Sequence, residues 1–183
     1  MYAGHYAAAL ALKARYPETP TWVPLLGVGV LDILFGPFVL AGLERVSMTP
    51  GVSPGFSLDY IDWSHSLVMA FVWSGLFAVL FLRRSRLIAA VAGVAVFSHF
   101  PLDLVMHPGD LALWPGSGVR MGFGVWQIFP TGWWFLELVL VSAGCMYYWA
   151  AAKRSLTFGG RAAWAVAIVV LLHVLNSPWL SAT

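Results

Sequence analysis

The sequence predicts an all-α integral membrane helical bundle of about five transmembrane helices and a short N-terminal helix, with the N-terminus cytoplasmic. Three observations carry this. Of 183 residues, 60% are hydrophobic and only 10% charged, whereas soluble domains carry about 25% charged residues; mean hydropathy is +0.81. The apolar residues fall into long runs separated by short polar stretches. Lys13, Arg15, Arg83, Arg84, Arg86, Lys153, Arg154 and Arg161 lie on one side of a five-span topology, with only Arg45 and Arg120 on the other, a strong positive-inside asymmetry.

Taken in order, residues 1–16 read as an Ala-rich helix, too short for the roughly 20 residues a crossing requires. His5 lies about 12 Å along the axis from Lys13, either pointing into the membrane interior or lying in the headgroup zone. Trp22 to Leu43 is the first span, with Asp32 its only charge and a break expected at Gly36-Pro37. A lone mid-membrane carboxylate requires a cation, a proton or a partner. Residues 44–63 form a Pro/Gly-rich loop carrying Asp59 and Asp62 just before His65. The second span is Ser64 to Leu82. The third is Leu87 to Met106, with a kink expected at Pro101. Residues 107–131 form a long Pro/Gly/Trp loop, expected to be a lid or re-entrant segment. The fourth span, Gly132 to Ala151, contains Glu137. The fifth runs from Ala162 to about Leu175, and its His173, without polar company in sequence, reads as structural. Ten Trp and six Tyr suit two interfacial belts. Cys145 alone permits no intrachain disulfide and no Cys-rich metal site, and reads as packing. No signal peptide is expected at an N-terminus that lacks a basic n-region and a cleavage site.

The chemistry concentrates in Ser98 to Gly116, SHFPLDLVMHPGDLALWPG. His99, Asp103 and His107 recur at i, i+4 and i+8, which places them within about 80° of one another on a helix. Imidazoles and a carboxylate on one stripe are a metal-ligand presentation. Depth counted from the cytoplasmic basic residues puts His5, Asp32, His65, His99, Asp103 and Glu137 in the middle and outer half of the bilayer. That convergence predicts one buried polar site opening outward. Nitrogen and oxygen ligands without thiolate suit a divalent metal, Zn first and Fe or Mn as alternatives. A divalent cation on such a set supplies a water-derived nucleophile near neutral pH. A carboxylate outside the ligand set, Glu137 or Asp59, is then the expected general base. No Walker loop, GxSxG or dinucleotide fingerprint is present. The net charge of +2 comes with basic residues confined to membrane-flanking loops, so no nucleic-acid partner is expected.

Four pieces, GHYAAALALK, GVGVLDILFG, DWSHSL and SHFPLDLVMHPGDLALWPG, resemble in order and spacing the small inner-membrane proteins grouped as membrane-bound metal-dependent hydrolases. The resemblance covers most of the chain up to Glu137. It implies a helical fold distantly similar to zinc-dependent phospholipase C, with the ligand series His5, Asp32, His65, His99 and Asp103. It also implies residence in a bacterial inner membrane. The chain departs from the family pattern in two places. Many members carry a Pro-Asp-x-Asp pair where it has only Asp32, and an HRGxTHS segment where it reads DYIDWSHS.

The expected function is hydrolysis of a phosphoester or lipid-derived substrate at the metal. The alternative is a non-catalytic accessory subunit of a larger membrane-protein complex, contacting or ligating a pigment or haem. Ion translocation is a third reading, weakened by the lack of repeated halves.

Overall fold

The computed structural model describes residues 2–48, 56–155 and 161–180. The Pro/Gly-rich centre of the expected 44–63 loop (49–55) and the 156–160 connection lie outside the described residues. The described chain is mostly helical. Three helical stretches are long and apolar enough to cross a membrane: Trp22–Leu40 (19 residues), Arg86–Met106 (21) and Gly132–Arg154 (23). Two more apolar helices, Leu67–Val79 and Ala162–Leu175, have 13 and 14 residues, about 20 Å each against a hydrocarbon core of about 30 Å. Three stretches of membrane-crossing length are therefore present among the described residues where five spans were expected.

In chain order the elements begin with α1 (Tyr2–Arg15), α2 (Trp22–Gly27) and α3 (Val30–Leu40). A hairpin of β1 (Arg45–Met48) and β2 (Phe56–Tyr60) leads to the single turn α4 (Asp62–His65), α5 (Leu67–Val79) and α6 (Arg86–Met106). A smaller hairpin, β3 (Leu111–Ala112) with β4 (Arg120–Met121), precedes the turn α7 (Val125–Ile128), α8 (Gly132–Arg154) and α9 (Ala162–Leu175). The all-α expectation is corrected by these two antiparallel hairpins. The first pairs Val46 with Leu58 and Met48 with Phe56; the second pairs Leu111 with Met121.

α1 does not lie on the surface of the bundle. Its Ala3, Ala7 and Leu10 join Val141, Cys145 and Tyr148 of α8 and Ala162 and Val169 of α9 in one buried cluster. The approach to α8 is so close that a Cβ on Gly144 would sit 2.7 Å from the Ala7 carbonyl oxygen. Small residues on both helices allow that contact. Cys145 packs in this cluster, as expected. At the far end of α1, the buried Lys13 ammonium donates to the carbonyls of Pro17 (2.6 Å) and Thr19 (2.9 Å).

Several boundaries differ from the sequence reading for local reasons. The first span breaks at Val28-Gly29 and not at Gly36-Pro37; α3's first helical bond runs from Ile33 N–H to Gly29 O. The second span does not begin as one helix at Ser64. Ser66 takes an extended conformation (ψ 155°), and its Oγ accepts from Met69 N–H to cap α5. The third span, by contrast, matches its expected bounds: α6 runs from Arg86 to Met106 with Pro101 inside it. The 107–131 segment is folded, containing the second hairpin and α7. Leu31, Ile61, Ala70, Val96, Phe100 and Leu111 form the buried cluster that joins these pieces beneath the polar site.

Candidate metal centre

α6 supplies the floor of the site. His99 and Asp103 are buried on one helical face, and His107 is the residue that caps the C-terminal end of the helix. Asp103 sits at the centre. Its Oδ1 lies 3.1 Å from His5 Nε2; its Oδ2 lies 2.9 Å from His99 Nε2, 3.7 Å from His107 Nε2 and 3.8 Å from His65 Nε2. Asp32, in the first turn of α3, places Oδ1 3.4 Å from His65 Nε2 and 3.7 Å from His99 Nε2. The His5 and His99 rings stack at 3.8 Å, 6° from parallel. All six residues line one cavity of about 260 Å³. Only Asp32 reaches its mouth, with a side chain 45% exposed. The sequence reading therefore named a set that the fold brings together from α1, α3, α4 and α6.

The backs of the imidazoles are held separately. His99 Nδ1 lies 2.7 Å from the Val28 carbonyl, which the break between α2 and α3 leaves outside the helical ladder. His65 Nδ1 lies 2.6 Å from Ser64 Oγ, and that hydroxyl lies 2.8 and 3.0 Å from the two Glu44 carboxylate oxygens. A hydroxyl has one proton. With Ser64 donating to Glu44, it accepts from His65 Nδ1–H. His107 Nδ1 meets Asp110 Oδ1 at 2.8 Å. In each case the acceptor fixes the proton on Nδ1 and turns the Nε2 lone pair into the cavity, the outer-shell arrangement of metal-ligating histidines. Glu44 is itself buried, and burial pushes its carboxyl above the usual range against the opposing pull of the Ser64 hydrogen bonds.

A cation fits this set. His99 Nε2 is buried without a hydrogen-bond partner, although a carboxylate oxygen is 2.9 Å away. A ring nitrogen whose lone pair faces a shared centre has no proton to give a neighbouring carboxylate and is left in that state. Among the described residues, two groups have ligand atoms within 4.8 Å of one another: His5, His99 and Asp103, and Asp32, His65 and His99. These His and Asp groups could hold a metal ion. Because Val28 occupies His99 Nδ1, His99 offers its Nε2 to one group or the other.

The 107–131 segment is fastened over the site. The buried Asp62 carboxylate accepts from Arg120 at 2.6 Å (Nη1 to Oδ1) and 3.3 Å (Nη2 to Oδ2), and from Gly116 N–H at 2.9 Å. Phe123 N–H donates to Leu104 O and Gly124 N–H to His107 O. Gly122, at φ +151°, passes so close to His107 O and Gly109 N that a Cβ there would overlap them. Trp126 of α7 then packs against the His107 ring at 4.8 Å.

The two expected general bases lie elsewhere. Asp59 is exposed on β2, hydrogen-bonded by Ser47 Oγ, and is not among the residues lining the cavity. Glu137 is buried between α8, α1 and α9, where Oε1 accepts from Gly4 N–H at 3.0 Å and Oε2 meets His173 Nδ1 at 3.3 Å. It too is absent from the cavity lining. His173 thus has the polar company that its sequence surroundings did not reveal. Glu44 and Ser64 went unrecognised as supports of His65. Ser64 adjoins His65 in DWSHSL, but nothing in the sequence ties Glu44 to a residue twenty positions on. Trp126, Phe35 and Asn176, which also line the cavity, carry no motif.

Comparison with protein-family models, curated proteins and solved structures finds no match to this chain.

Proposed function

We propose that the protein is a membrane-embedded, divalent-metal-dependent hydrolase acting on a phosphoester or lipid-derived substrate, with zinc the first choice of metal. In this reading it belongs with the membrane-bound metal-dependent hydrolases that its motifs resemble. It resides in a bacterial inner membrane with the N-terminus cytoplasmic, and α5 and α9 complete five passes as short spans. Leu40, Leu80, Val139, Met146 and Trp164, all largely exposed, suit lipid contact. The observation that carries the functional reading is the convergence of four imidazole Nε2 atoms and the carboxylates of Asp32 and Asp103 on one cavity, with three rings fixed from behind.

His5, His99 and Asp103 would hold the cation, with Asp32, His65 and His107 completing the set around it. When bound, the cation supplies Lewis-acid activation of a water and of a substrate oxygen. Val28, Ser64 and Asp110 keep the rings from turning, so little reorganisation is left for the reacting state. Phe35, Ile61 and Trp126 line the same cavity, exclude bulk water and favour an apolar portion of the substrate. Asp32 Oδ1 faces His65 and His99, and as the most exposed carboxylate of the set Asp32 is the group assigned to take up a proton.

The test is metal content by mass spectrometry on detergent-purified protein, wild type beside a His99→Ala, Asp103→Ala double variant. One or two equivalents in the wild type and none in the variant are expected, followed by hydrolysis in a phosphoester screen. A folded wild type purified without chelators and free of metal overturns the reading. It would shift the assignment to an accessory subunit of a larger membrane complex, to be pursued by partner co-purification and visible absorption.

A further inference from the structure

Among the described residues outside the cavity, Glu137 of α8 and His173 of α9 form a buried ionisable pair joined to the first turn of α1. We propose that Glu137 and His173 are positioning residues that hold His5 in the cavity through the N-terminus of α1. The inference rests on the metal reading above.

The first turn of a helix has N–H groups without intrahelical acceptors. In α1 that turn is buried, with Ala3, Gly4 and His5 all inside the bundle. An acceptor must therefore come from the protein, and Glu137 Oε1 is that acceptor for Gly4 N–H at 3.0 Å. A negative charge at a helix N-terminus also meets the positive end of the helix dipole. Glu137 is 0% exposed, and its second oxygen is met by His173 Nδ1 at 3.3 Å. His173 in turn is clamped by Trp134, whose ring stacks on it at 4.3 Å and whose Nε1–H donates to its carbonyl at 3.1 Å.

His5 follows Gly4 directly and differs from the other three cavity histidines. Val28, Ser64 and Asp110 hold the Nδ1 atoms of His99, His65 and His107, but His5 Nδ1 is buried without a hydrogen-bond partner. Its ring is held only from the front, by Asp103 at 3.1 Å and by stacking on His99. The aim of its Nε2 is therefore set by the α1 backbone, and Glu137 is what fixes the start of that backbone. Outer-sphere supports of metal ligands are commonly worth 10–100-fold in affinity, here delivered through a main-chain N–H.

The experiment pairs two readouts on full-length protein in detergent. The first is Co²⁺ affinity with the visible spectrum of the bound ion. The second needs no metal: diethylpyrocarbonate modification of each histidine in chelator-treated protein, mapped by mass spectrometry. Glu137→Ala is expected to weaken Co²⁺ binding about tenfold or more, alter the spectrum and expose His5 to modification, while His65 and His99 stay protected. Glu137→Gln, whose amide oxygen still accepts from Gly4 N–H, is expected to restore His5 protection. A folded Glu137→Ala protein with wild-type Co²⁺ affinity, spectrum and His5 protection overturns the proposal. Should that variant not fold, His173→Ala takes its place, and the same three unchanged readouts overturn it. A wild type that binds no Co²⁺ refutes the metal reading; selective exposure of His5 in Glu137→Ala would still establish the positioning role.

Discussion

Replacing Ser64 with alanine isolates one outer support without touching a cavity atom. The hydroxyl bridges His65 Nδ1 at 2.6 Å and both Glu44 oxygens at 2.8 and 3.0 Å. Its removal frees the His65 ring to rotate and to exchange tautomers. Loss of such a support costs about 10–100-fold in metal affinity, or roughly 1.4–2.8 kcal/mol. There is a second cost. Glu44, 1% exposed, keeps only the Ser64 N–H at 2.7 Å among its bonds to that residue. An under-satisfied buried acceptor costs about 1–3 kcal/mol, which lowers Tm by roughly 2–12 °C for a chain of this size. Affinity is read by competition between the purified protein and a chromophoric chelator, and Tm by thermal unfolding in the same detergent with metal removed. The variant should bind divalent metal at least tenfold more weakly. A folded Ser64→Ala protein whose affinity stays within about twofold of wild type would refute the claim that the Glu44–Ser64–His65 chain holds the ligand.

Two further outcomes follow from the same geometry. Gly122→Ala should push the 120–124 segment away from His107 and place alanine at φ +151°, costing at least about 1 kcal/mol in backbone strain and weakening metal binding; a variant with unchanged Tm and unchanged affinity would show that His107 is held without this crossing. Glu44→Gln tests the buried carboxyl. Burial raises its folded pKa above the unfolded value, so between the two the folded state keeps a proton that the unfolded state releases, and stability falls as pH rises through that window. Tm followed from acid to neutral pH in metal-free protein should show that fall in the wild type and a shallower one in the glutamine variant. Parallel curves would mean that Glu44 titrates as an ordinary exposed acid.

The elements that sequence could reveal are those whose signal is local. Apolar runs of hydrocarbon length locate Arg86–Met106 and Gly132–Arg154 within a few residues, because backbone groups in an apolar setting must pair within their own segment. The i, i+4, i+8 spacing of His99, Asp103 and His107 places them on one face by helix geometry alone. An ionisable residue inside an apolar run requires compensation wherever it lies, so His5, Asp32 and His65 could be singled out before any fold was known.

The tertiary structure decided what compensates them, because a partner distant in sequence leaves no periodic trace. The break at Val28 exists where a carbonyl is claimed by His99, a residue 71 positions away. Glu137 reads as a free carboxylate in sequence and becomes the N-terminal acceptor for α1 across 133 positions. His173 looks isolated until α9 packs on α8. Asp59 precedes the DWSHSL motif closely enough to suggest a base, yet β2 carries it out to solvent. Composition and spacing determined which residues require partners. Packing alone decided which partner each one found, since burial acts through space and is indifferent to distance along the chain.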